Sequence, residues 1–174
     1  TLGAGSFYGC ASIKSLEGIG MPAGVTTIPE RCFNGAGLTG TVTIPEEITS
    51  IGDNAFNGCT GMSKLVIPAT VESIGGNAFR DCTGLTEAVL PVDIHYGNSG
   101  GYPAFYGCSG VTKITYTAGN TGIMLETVNV SPGEDQNYYG DRIEYSVRDT
   151  LKEVVFENGV TKVGSGAFWN EGRG

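Results

Sequence analysis

The chain has 174 residues; 16% are charged, against roughly 25% in an average domain, and the net charge is −8. That balance argues against nucleic acid as a partner, which needs a basic stripe, and no Lys/Arg cluster is present to hold an anionic membrane. No apolar run approaches the roughly 20 residues that cross a bilayer, so no direct membrane insertion is expected.

The chain opens on TLGAGSFYGC. This stretch lacks the charged start and apolar core of a signal peptide. Its aliphatic-Gly, Phe and Cys slots recur downstream in the same order, so it reads as the middle of a repeat, and a longer parent chain is expected. Phenylalanines mark the repeat: Phe7, Phe33, Phe56, Phe79, Phe105 and Phe168. The step from Phe33 to Phe56 to Phe79 is 23 residues, and the steps on either side are 26. The gap before Phe168 holds an insertion or degenerate repeat at about 117–150. Glycine numbers 29, about twice its usual share, without the G-X-Y period of collagen; regular turns account for it.

Each Phe carries a cassette. An aliphatic stands five residues before it (Leu2, Ile28, Ile51, Ile74, Val163) and another three residues earlier (Val25, Ile48, Val71, Val160). Four residues before that comes Met21, Ile44, Ile67 or Phe156, usually followed by proline, as is Leu90. Cysteine stands at the third place after the Phe in four copies: Cys10, Cys59, Cys82 and Cys108. Within a copy, Leu65 and Ile67 alternate with Val66, the period of a strand. Pro68 ends that strand because it has no N–H for a ladder. Gly75 turns the chain, and Ala78-Phe79 sits on a return too short for a long helix. One unit cannot bury its own apolar face, but stacked units can. The expectation is a single repeat solenoid over residues 1–174: mainly β, with short strands joined by turns or short helical returns, about 23 residues per repeat. With rungs about 4.7–4.9 Å apart, six or seven make a rod roughly 30 Å long.

The stretches IPEEITSIGDNAFNGCTGM, Ile44 to Met62, and IPATVESIGGNAFRDCTGL, Ile67 to Leu85, carry a specific likeness. The cassette resembles the BspA-like type of leucine-rich repeat, known from bacterial surface proteins and some protozoan ones. The likeness covers nearly all of the chain outside about 118–149. It implies a solenoid, a cell-surface or secreted location, and a role in adhesion or partner binding.

Residues that look chemical in isolation lose that look when the copies are aligned. None of the five cysteines forms a C-x-x-C pair, and the single histidine cannot complete a zinc site. In-register side chains point in parallel, which is poor geometry for a disulfide. In one copy Cys32 takes the Ala slot beside Phe33 while Ala36 takes the Cys slot, as expected of small core fillers. His95 lies in DIHYGNSGGYPAF, read as the insertion that lengthens its repeat, with no nucleophile motif beside it. Tyr96 and Tyr102 in the same stretch, with Tyr106 following, suit either a recognition loop or a plain surface loop. SPGEDQNYYGDRIEY, Ser131 to Tyr145, departs from a calcium loop, because Ser146 stands where the bidentate Glu belongs. Asn129-Val130-Ser131 is a formal glycosylation triplet followed by Pro132 and carries little weight.

The outward strand positions are the better place for a partner. Thr41, Lys64, Glu87, Lys113 and Glu153 align in one row, and Thr43, Val66, Val89, Thr115 and Val155 in the next. The candidate contact residues are Lys64, Val66, Glu87, Val89, Lys113 and Thr115 on these rows, with Tyr96 and Tyr102. The chain is read as a non-enzymatic module binding a protein or glycan, with no cofactor. A spacer rod is the alternative. An enzyme on a β-helix, such as a polysaccharide lyase, would need clustered Asp and Lys/Arg on one row, and the rows hold only isolated charges. Both ends fall inside repeats, so weak capping and end-to-end self-association are expected.

Overall fold

The computed structural model describes residues 1–17, 19–97, 103–122, 147 and 149–163. Tyr102, Phe168, Asn129 and the Ser131–Tyr145 segment lie outside them. The strands are β1 Thr27–Ile28, β2 Gly40–Thr43, β3 Ser50–Ile51, β4 Met62–Val66, β5 Ser73–Ile74, β6 Glu87–Pro91, β7 His95–Tyr96, β8 Lys113–Thr117 and β9 Glu153–Phe156.

Among the described residues the strands pair in parallel and sort into two sheets, β1-β3-β5-β7 and β2-β4-β6-β8-β9. From β2 to β7 each turn lays a longer strand in the five-stranded sheet, rounds a corner at Pro45, Pro68 or Pro91, and adds two residues to the four-stranded sheet. The repeat fixes the register: Ser50 pairs with Ser73 and Lys64 with Glu87, each one repeat apart. β4 stops at Val66, just before Ile67-Pro68, and β6 ends on Pro91 itself.

The return that carries the Phe is a run of turns. The backbone excludes a helix there. Asn54 and Asn77 take φ of 56° and 58°, and Gly58 and Asp81 take 72° and 55°, at two matching places in successive returns. A right-handed helix tolerates neither. Asparagine and glycine occupy these places because they enter the left-handed region at low cost.

The core is one continuous column of side chains. Phe33, Phe56, Phe79 and Phe105 are fully enclosed, with Phe7 packed half-buried on the first turn. Adjacent rings stack at centroid distances of 5.2, 5.3, 5.1 and 5.0 Å, with interplanar angles of no more than 13°. That spacing is the strand repeat plus a small lateral offset, the arrangement aromatic rings prefer. Around them lie Ile28, Ile51 and Ile74 from one sheet, Val42, Leu65, Ala88 and Ile114 from the other, and Ile48 and Val71 from the corners. The backbone of each Phe also joins the ladder, as Phe56 N donates to Ala78 O at 2.7 Å and Phe33 N to Ala55 O at the same distance.

Three sequence expectations are corrected. His95 and Tyr96 do not sit in the insertion: they form β7, with Tyr96 in register with Ile74, so Tyr96 takes the Ile slot and the extra residues come after it. Val163, expected inward, is 43% exposed, and Phe156, also expected inward, is 40% exposed although its ring stacks on Tyr116 at 5.6 Å. Phe156 lies on β9, which ends the five-stranded sheet among the described residues, with β8 beside it. β8 pairs directly with β9, Lys113 against Glu153.

Candidate functional site

The five-stranded sheet presents the two rows read from the sequence. Register aligns Thr41 with Lys64, Glu87, Lys113 and Glu153, and Thr43 with Val66, Val89, Thr115 and Val155. β-Branched residues dominate because the inward positions must pack and the outward ones must lie on a pleated surface. Along the first row the charges close on each other: Lys64 Nζ reaches Glu87 Oε1 at 3.1 Å, and Lys113 Nζ reaches Glu153 Oε1 at 3.1 Å. Both pairs are solvent-accessible, where such contacts contribute little. In the second row Val66, Val89 and Val155 are half-buried and form a neutral strip, while Thr115 is only 8% exposed and offers little contact area.

The four-stranded sheet makes a second surface that the sequence reading did not single out. Its outward positions are Thr27, Ser50, Ser73 and His95, aligned across β1, β3, β5 and β7. Thr27 Oγ1 and Ser50 Oγ share a hydrogen bond of 2.9 Å. Together with Gly52, Gly75, Gly97, Asp53 and Tyr96 they line an open groove of about 440 Å³. The signal was present in the sequence as the recurring Thr-Ile or Ser-Ile pair before Pro29, Gly52 and Gly75. It went unread because two-residue strands are too short to show a period. Asp53 joins turns here, its Oδ1 accepting from Gly76 N at 2.9 Å.

Tyr96 is half-buried, its ring edge-on to Phe105 at 6.3 Å, so it packs as well as lines the groove. Tyr106 is exposed on the return, with the Arg80 guanidinium 5.2 Å from its ring centroid. Tyr102 lies outside the described residues. Asp93, in the same stretch as His95, closes the turn after β8: its Oδ2 accepts from Asn120 N, Thr121 N and Thr121 Oγ1 at 2.8, 2.8 and 3.0 Å.

The cysteines line the interior. Cys32, Cys59, Cys82 and Cys108 are buried, and Cys10 is half-buried. The thiols of Cys59, Cys82 and Cys108 each donate to the carbonyl of the Phe one turn earlier: Phe33, Phe56 and Phe79 at 3.1, 3.2 and 3.0 Å. Burial pushes the Cys32 thiol up to about 11 and the Cys59 thiol up to about 12, from 9.0. Cys82 is raised by its hydrogen bond with the Cys108 side chain, and then by burial. Among the described residues no three His, Cys, Asp or Glu side chains are grouped to hold a metal ion.

A family profile, the BspA type leucine rich repeat region, matches residues 1–131 in six copies. The chain belongs to the BspA-type leucine-rich repeat family. Two solved structures resemble this BspA-type chain at 17% identity each. One is a leucine-rich cell-surface protein of Faecalibacterium prausnitzii, with a TM-score of 0.41, covering 88% of this chain and 62% of that one. The other is a leucine-rich repeat protein of Bacteroides ovatus, with a TM-score of 0.31, covering 96% of this chain and 61% of that one. The BspA-type chain thus spans about three fifths of the length of each. No curated protein matches it.

Proposed function

We propose that this BspA-type chain is a non-enzymatic recognition module displayed at the bacterial cell surface or secreted, and that it binds a protein or glycan through the outer face of its five-stranded sheet. The observation that carries the reading is the neutral row of Val66, Val89, Thr115 and Val155, with half-buried valines on either side of the buried Thr115, in register beside the paired charges of Lys64, Glu87, Lys113 and Glu153. A parallel sheet face of this kind offers a broad contact area, and its half-buried valines supply burial that exposed ion pairs do not. The family supports the location. The test is a screen of the intact protein against arrayed glycans and host surface proteins. Saturable binding to one class supports the reading.

A spacer rod is the second reading, favoured by the closure of Lys64 on Glu87 and of Lys113 on Glu153, which leaves these side chains satisfied without a partner. A screen that finds no ligand on either array selects it.

A further inference from the structure

The column of buried thiols is used by neither reading. Cys59, Cys82 and Cys108 have no exposed surface and stand one above another on successive turns. Each Sγ is fixed to the Phe carbonyl of the turn before it, so freeing a thiol means parting two turns. The same parting breaks the ring stack, because those carbonyls belong to the stacked phenylalanines. We propose that Cys59, Cys82 and Cys108 form a latent thiol-modification site for small disulfides, opened by separation of adjacent turns and, once modified, holding those turns apart.

Several observations support this. In a solenoid each turn touches only its neighbours, so one interface can open while the rest stay closed. The closed state protects the thiols twice, by enclosure and by suppressing the thiolate, which is the attacking species. Burial pushes the Cys59 thiol up, so its thiolate is scarcer at neutral pH than that of a free cysteine. Cys10 is half-buried on the first turn and serves as an internal reference. In the modification step the thiolate attacks one sulfur of the small disulfide and forms a mixed disulfide. The other sulfur leaves as a thiolate, and the thiol proton goes to solvent. The interior is filled by the Phe and Ile side chains, so the adduct cannot return to the closed position without displacing them. Reduction removes it, which makes the device reversible.

The experiment treats the full chain with 5,5′-dithiobis(2-nitrobenzoate) and follows each cysteine by peptide mass mapping. Cys10 is expected to react at least a hundredfold faster than Cys59, Cys82 and Cys108. Phe56→Leu, which loosens the stack without touching a cysteine, should speed Cys59 and Cys82 at least tenfold and leave Cys10 unchanged; low urea on the wild-type chain should do the same. The modified protein should melt at lower temperature and recover after dithiothreitol. Reaction of Cys82 within tenfold of Cys10 in the native wild-type chain would overturn the proposal, as would an adduct at Cys82 that leaves the melting midpoint unchanged.

Discussion

Truncating the middle of the aromatic column measures how much the stack holds. Phe56 is fully enclosed, with Phe33 at 5.3 Å on one side and Phe79 at 5.1 Å on the other. Removing its ring uncovers about 150 Å² of apolar surface, roughly 4 kcal/mol at about 25 cal/mol per Å². Each lost stacking contact adds about 0.5–1.5 kcal/mol. Phe56→Ala is therefore expected near the top of the usual range for such truncations, at about 5 kcal/mol. Phe7 stacks on one ring only and is half-buried, so Phe7→Ala should cost about 1–2 kcal/mol. Phe56→Leu keeps most of the volume and loses the stack, and it should fall between them. Urea unfolding followed by far-ultraviolet circular dichroism gives all three from the midpoints and a common slope. If Phe56→Ala cost no more than Phe7→Ala, the continuous column would be wrong.

Other outcomes follow from the same packing. Gly84→Ala should destabilise by more than about 2 kcal/mol, because an added Cβ would meet the Thr60 carbonyl of the turn beneath, a backbone group that cannot swing aside; the urea midpoint reads this. A double-mutant cycle on Lys64 and Glu87 should give a coupling of about 0.2–1 kcal/mol that shrinks in 1 M NaCl, since the pair is solvent-accessible. Stability should fall as pH rises from about 9 towards 12. The unfolded chain ionises its cysteines near 9.0, whereas Cys32 and Cys59 hold their protons to about 11 and 12, so the folded state binds more protons across that window. Cys59→Ala should flatten that decline in a series of melting curves; an unchanged slope would contradict the assigned cause.

The sequence made the solenoid legible because every rung states its inward residues at fixed spacing. Phe56, Ile51, Ile48 and Cys59 were placed in the core from their copies alone, and the outward rows of Lys64 and Val66 followed from strand alternation. What stayed hidden depended on contacts between turns. The turn structure of the return rests on the left-handed backbone at Asn54 and Gly58, which a reading of apolar spacing does not reveal. The cysteines looked like small fillers, and the donation of Cys82 to the Phe56 carbonyl is visible only when the turns are stacked. Tyr96 was read as loop because the missing aliphatic five residues before Phe105 concealed its equivalence to Ile74. For Thr115 the strand pattern gave the direction of the side chain and not its burial. The candidate contact face was legible as geometry, while the identity of a ligand has no counterpart in the repeat, because repeats record what stacks.

Recognition through the outer face of the five-stranded sheet comes down to one affinity comparison. A ligand recovered from the arrays is titrated by calorimetry against the wild-type chain, Val66→Arg/Val89→Arg, and Tyr106→Ala on the return face. The double variant is expected to lose at least tenfold in affinity with an unchanged circular dichroism spectrum, and Tyr106→Ala to bind as wild type. Full affinity in the double variant, or loss confined to Tyr106→Ala, would contradict it.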